Sequence, residues 1–231
     1  MEKIFKKHEF LICMLLIVLY IVTNSFCLQN FGEFSYKTTI VNTVFSALLI
    51  GLIISIKRVK YYGLTKVENA KKYLYFLPLI LIVSVNLWNG ININNTPKEI
   101  IFYILTMINV GFIEEIIFRG FLFKMMEESN VKSAIAVSAI TFGIGHIVNL
   151  LNGAAVVPTL IQICYAISAG FLFVIIFYKS KSLVPCIIAH STINALSVFN
   201  GESQSFLYVT GAFLTIVPII CAIYIIKTVK E

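Results

Sequence analysis

The sequence places ionisable residues where they are expensive to keep. Glu114, Glu115 and Arg119 fall in one apolar run, Gly111-Phe112-Ile113-Glu114-Glu115-Ile116-Ile117-Phe118-Arg119-Gly120, and His146 and His190 fall in two later ones. A charged side chain at the centre of a membrane helix costs ~2.5 to 3.5 kcal/mol on insertion scales, so such groups need partners or a function. Helical spacing separates the two glutamates. Residues four apart stack on one face, and glutamate N-terminal to a cation is the favourable order, so Glu115 and Arg119 are expected to form an ion pair that braces their helix. Glu114 points about 100° away, where position 118 offers only phenylalanine. Its partners must come from other helices.

Asn194 follows His190 by one helical turn and shares its face. A carboxylate, two imidazoles and an amide can form a hydrolytic centre, a metal site, a proton path or a polar contact between helices. For hydrolysis, a carboxylate removed from water is a better general base, which suits Glu114, and an imidazole on a neighbouring helix, His146, can share and orient the water. The tetrahedral intermediate of amide cleavage then needs donors at its oxyanion, and His190 and Asn194 can supply two. This set needs neither serine nor cysteine. For a metal, Glu114, His146 and His190 would be acceptable zinc ligands. The sequence has no His-Glu-x-x-His helix, however, and no evident carboxylate behind either histidine. The preferred expectation therefore requires no cofactor, with Zn2+ as the alternative.

Elements that could position these groups follow from composition. Of the 231 residues, 59% are hydrophobic and 13% charged, far from the balance of a soluble domain. A hydrocarbon core of ~30 Å is crossed by about 20 apolar residues in a helix. Runs of that kind cover approximately residues 10 to 29, 38 to 56, 73 to 89, 98 to 123, 133 to 151, 156 to 178, 183 to 199 and 205 to 226. The seventh is the weakest, being short and carrying His190, Ser191, Thr192, Asn194 and Ser197. The expected fold is an all-α polytopic membrane bundle of about eight transmembrane helices. It forms one integral membrane domain over residues 1–231, with a catalytic core at about 98–199. No small-residue cleavage site follows the first run, which is read as an uncleaved span.

Orientation comes from the basic residues, which concentrate in cytoplasmic loops. With both termini cytoplasmic, 15 of the 18 Lys and Arg lie inside, Lys37 and Lys98 lie outside, and Arg119 lies within a span. Such charges flank apolar runs, where anionic lipid headgroups account for them, and the formal charge of +7 does not indicate nucleic-acid binding. The five cysteines, at 13, 27, 164, 186 and 221, lack paired spacing and read as small apolar side chains.

Helix ends fix phase and depth. Thr96, Pro97 and Glu99 predict a capping box at the start of the fourth span, and Asn152-Gly153 a stop after the fifth. Ser182 is expected to cap the seventh span, with Pro185 in its first turn, and Thr65 with Glu68 to start a short helix before the third. Counting from Lys124, Lys132 and Lys181 puts Glu114 at ~15 Å, His146 at ~21 Å and His190 at ~14 Å from the cytoplasmic ends. Three helices thus bring these groups to overlapping depths. Gly143 and Gly145 would permit close backbone approach beside His146. Asn86 and Gln162 read as packing contacts, and His8 as part of a solvated tail.

At these residues the sequence resembles the CPBP family of CAAX-protease and bacteriocin-processing membrane proteins, also called the Abi family. The pattern is Glu-Glu-x-x-x-Arg, Phe-x-x-x-His and His-x-x-x-Asn on successive helices, matched here by Glu114 to Arg119, Phe142 to His146 and His190 to Asn194. The resemblance covers about residues 98 to 199. It implies an intramembrane endopeptidase, in which the first glutamate and first histidine activate water and the second histidine and asparagine stabilise the oxyanion. Both metalloprotease and metal-free mechanisms are attributed to the family. The expected location is a bacterial plasma membrane, and the expected partner a membrane protein or peptide reaching the site from the cytoplasmic side. Two other readings stay open: a non-catalytic bacteriocin-immunity or binding protein, and a proton-coupled transporter.

Overall fold

In lipid every backbone N–H and C=O must be satisfied within the protein, and a chain with this hydropathy meets that demand by coiling into helices. The computed structural model describes residues 2–68, 76–201 and 204–229. Its helices are α1 (Glu2–Lys7), α2 (Glu9–Phe31), α3 (Tyr36–Ser55), α4 (Leu77–Ser84), α5 (Pro97–Glu115), α6 (Lys124–Glu127), α7 (Val131–Gly145), α8 (Val156–Ser180), α9 (Val184–Leu196) and α10 (Gln204–Thr228). A π-helical stretch, Ile116–Phe123, joins α5 to α6 in one continuous rod. Single 3-10 segments extend α7 through His146–Leu150 and α9 through Ser197–Phe199.

The chain is an integral, multi-pass membrane protein. Six helices among the described residues are long and apolar enough to cross a bilayer: Glu9–Phe31, Tyr36–Ser55, Pro97–Glu127, Val131–Leu150, Val156–Ser180 and Phe206–Thr228. The seventh expected crossing is the shorter apolar helix Val184–Phe199. For the third, α4 is continued by a 3-10 turn at Val85–Leu87, while residues 73–75 lie outside the described residues. Large apolar side chains point outward along these helices. Phe10, Leu15, Val22, Leu48 and Ile220 are all more than half exposed, as expected where the solvent is hydrocarbon.

At the centre, α8 packs between α7 and α10, and α5 between α3 and α9. Two close approaches set this spacing. A Cβ on Gly143 would stand 2.2 Å from the Ile167 side chain and 2.7 Å from its backbone nitrogen, and one on Gly111 would stand 2.7 Å from the backbone nitrogen of Ser191. Gly143 therefore serves the expected role, while Gly145 has open space around it and does not.

Polar ties hold the two ends of the bundle. At one end Arg58 pairs with Glu2 and Glu9, the Tyr61 hydroxyl donates to Glu128, and Glu127 pairs with Lys124 and Lys181. The loops expected on the cytoplasmic side thus meet one another. At the opposite end the Gln29 amide donates to the Asn152 side chain at 3.0 Å, and the Asn152 amide to Ser25 at 3.4 Å.

The Thr96 box forms as expected. The Thr96 backbone N–H donates to Glu99 at 2.8 Å, and the Glu99 N–H donates to the Thr96 hydroxyl at 3.4 Å. Gly153 turns the chain after the fifth span with φ of 90°. Ser182 does something else. Its hydroxyl donates to the Thr65 carbonyl at 2.6 Å, tying two loops, and α9 starts without a side-chain cap. Pro185 sits in the first turn of α9, as expected. Residues 65–68 are not helical, and the rest of the short helix expected there lies outside the described residues.

Candidate active site

The rod that carries Glu114 and Glu115 changes winding immediately after them. In a π-helix the N–H bonds five residues back, so the turn widens and carbonyls can be released to other donors. Ser138 of α7 meets one of these, donating its hydroxyl to the Phe118 carbonyl at 2.9 Å. All eight residues of the π segment are buried. Across this change of winding the expected pair survives: Arg119 Nη1 lies 3.0 Å from Glu115 Oε1, and both side chains are fully buried. The guanidinium also lies 4.2 Å from the centre of the Phe142 ring and 5.8 Å from that of Phe173. Aromatic faces attract a desolvated cation and share the task of holding it. Gly170 leaves room for it, since a Cβ there would stand 3.1 Å from Arg119 Nη2.

His190 joins the two glutamates. Its Nδ1 lies 2.9 Å from Glu115 Oε1 and its Nε2 lies 3.4 Å from Glu114 Oε2. The close passage of α5 over α9 at Gly111 and Ser191 brings the ring within reach of both. The Ser191 hydroxyl locks that passage by donating to the Ile108 carbonyl at 3.1 Å. Glu115 is therefore shared between Arg119 and His190, and the ion pair orients an imidazole as well as bracing a helix. It also provides the carboxylate behind a histidine that was not evident from the sequence.

Glu114 finds a second partner on the first span, where the Tyr20 hydroxyl donates to Glu114 Oε1 at 2.8 Å. Nothing in local spacing singles out Tyr20. It is one of eleven tyrosines, and no spacing rule links α2 to a helix some ninety residues later. Its position in an apolar span, with a hydroxyl that requires a partner in lipid, was the available signal.

His146 stands at the junction of α7 and its 3-10 extension, with Nδ1 lying 3.1 Å from the Phe142 carbonyl. A carbonyl can only accept, so Nδ1 is the donor in this contact, and in the neutral tautomer that fits it the lone pair is on Nε2. The Phe142 ring meets both imidazoles edge-on, at 5.2 Å from His146 and 5.5 Å from His190. Phe142 thus touches both rings and also covers Arg119.

One cavity of about 430 Å³ has Glu114, His146, His190 and Asn194 in its wall. Its volume lies in the range of ligand sites. Glu115 and Arg119 are not in its lining, which instead includes Asn86 and Gln162 together with Asn24, Asn149 and Asn152. Gln162 accepts from Asn149 at 2.8 Å and Asn86 donates to the Ile193 carbonyl at 2.7 Å, so both are packing contacts as well as cavity wall. Among the described residues no three His, Cys, Asp or Glu side chains converge to hold a metal ion. All five cysteines are free.

Residues 96–196 match the family model described as Rce1-like, type II CAAX prenyl endopeptidase. Over this segment the chain is similar to CPBP-family intramembrane proteases. No curated protein and no solved structure matches the chain. The matched segment contains α5, α7, α8 and α9 together with Glu114, His146, His190 and Asn194. Tyr20 comes from outside it. The family supports intramembrane endopeptidase activity for this chain.

Proposed function

We propose that the chain hydrolyses a peptide bond of a membrane-associated substrate, with Glu114 and His146 activating water and His190 and Asn194 holding the oxyanion. The observation that carries this reading is the single cavity whose wall contains all four side chains. A water in that cavity would give a proton to the Glu114 carboxylate while hydrogen-bonded to the free Nε2 of His146. Its oxygen attacks the scissile carbonyl carbon, and the carbonyl π pair moves to the oxygen. Asn194 and the His190 Nε2, which rests 3.4 Å from Glu114 Oε2 before substrate enters, would donate to that developing charge. Donation from His190 requires a proton on Nε2 in addition to the one on Nδ1, and the Glu115 carboxylate lies directly against the ring to balance the resulting charge. On collapse the C–N bond breaks, and the proton held by Glu114 passes to the leaving nitrogen.

Tyr20 and His190 position the Glu114 carboxyl from two sides. The cycle is written without a metal. By the positive-inside rule, the end carrying residues 57–65 and 124–132 faces the cytoplasm.

The test is to incubate the detergent-purified protein in 18O-labelled water with a library of membrane-anchored peptides and sequence the products by mass spectrometry. New carboxyl termini carrying one 18O are expected with the parent protein and not with Glu114→Gln. Cleavage that persists undiminished in Glu114→Gln sinks the assignment.

A further inference from the structure

The cavity does not reach the two ends of the bundle equally. From Glu114, His146 and His190 its wall continues through Asn194 and Ser197 of the α9 end and Asn149, Asn152 and Ala154 beyond α7. It ends at Leu28 and Glu33, where α2 gives way to the following loop. All of these lie toward the end that carries no basic loop. Toward the basic end the path is closed by rings. Tyr62, Phe121 and Phe123 are each at most 1% exposed; the Phe121 ring centre lies 4.8 Å from that of Tyr62 and 5.8 Å from that of Phe5, and Phe123 packs on Phe177 at 5.9 Å. The recess of about 180 Å³ at that end, lined by Lys60, Lys124 and Lys181 among others, shares no residue with the main cavity.

The wall also has a distinctive chemistry. Besides Asn194, five further amides line it: Asn24, Asn86, Asn149, Asn152 and Gln162. Each amide offers two donors and an acceptor, the complement of a peptide backbone and of no net charge. The 11 steps of helix from Tyr103 to Glu114, both in the wall, rise about 16 Å, which is the length of about five residues of extended chain.

We infer that the substrate approaches Glu114 from the end of the bundle opposite the basic loops, as an extended, uncharged peptide segment held by these amides. The inference rests on the endopeptidase reading for the word substrate and on the positive-inside rule for the side. Together they make the substrate class a segment exposed on the non-cytoplasmic face, in place of the cytoplasmic approach expected from the sequence.

Accessibility tests this without requiring turnover. Intact cells producing Asn149→Cys, Gln162→Cys or Lys124→Cys are treated with a charged, membrane-impermeant methanethiosulfonate, and the mass gain of the purified protein is measured. The native cysteines of the parent chain set the background. Asn149→Cys and Gln162→Cys are expected to react in intact cells at least about tenfold faster than that background, since a thiol must meet water to react. Lys124→Cys is expected to react only after the membrane is opened. Modification of both cavity variants only after opening overturns the inference, as does failure of both to react on either side. The same labelling in a Glu114→Gln background separates the two claims. Unchanged labelling with lost cleavage supports both, whereas intact cleavage with unchanged labelling removes the proposed base and leaves the route standing.

Discussion

Glu114 and Glu115 are neighbours in sequence, yet their carboxyl groups sit in different surroundings on either side of one imidazole. Glu114 stands in the cavity wall, partly accessible at 14%, and is held by two groups that leave its carboxyl facing open space. Glu115 is fully buried against Arg119, with two phenylalanine rings covering the guanidinium. One region is built to admit water and the other to exclude it. His190 spans them, one ring nitrogen toward each. The difference separates chemistry from support: a carboxylate that must exchange protons needs access to water, while a buried ion pair is kept only because neither partner can be left alone.

Substitutions can break this contrast, and the largest effect is expected at the wet carboxylate. Glu114→Gln keeps size and hydrogen bonding and removes the base, so the cleavage rate should fall by ~10² to 10⁴-fold while thermal unfolding in detergent stays close to the parent. Glu115→Ala should show the reverse order of damage. It leaves the Arg119 charge buried without its carboxylate, at a cost of ~3 to 5 kcal/mol read as a lowered melting temperature, and activity should fall with it. A Glu115→Ala protein that melts like the parent would remove the supporting role assigned to the pair.

Asn194→Ala sharpens the comparison on the cavity side. Loss of one oxyanion donor should lower kcat by ~10² to 10³-fold with little change in KM or melting temperature. A rise in KM with kcat intact would make Asn194 a substrate-binding residue instead. The smallest effect is expected for Tyr20→Phe, which removes one hydrogen bond to Glu114 and leaves the ring in place. A rate loss of about tenfold, equivalent to ~1.4 kcal/mol, should appear in steady-state cleavage. No change would mean that His190 alone suffices to position the carboxyl.

The sequence by itself determined what depends on short spacing and on composition. Apolar run length selected the helices, because a bilayer permits few other backbones, and the Thr96 box fixed the start of α5 because Thr96 and Glu99, three residues apart, bond each other reciprocally. The Glu115–Arg119 contact was legible for the same reason, and it persists although the helix changes its winding beneath it. The tertiary structure decided everything that joins distant segments. That His190 touches both glutamates depends on how closely α5 passes α9 at Gly111, that Glu114 rests on Tyr20 depends on where α2 docks, and that Ser182 reaches Thr65 instead of capping its own helix depends on which loop lies beside it. The side on which the cavity opens belongs to the same class. Periodicity states which face a residue occupies, but the partner across that face is chosen by packing among all the helices at once, and no local spacing encodes it.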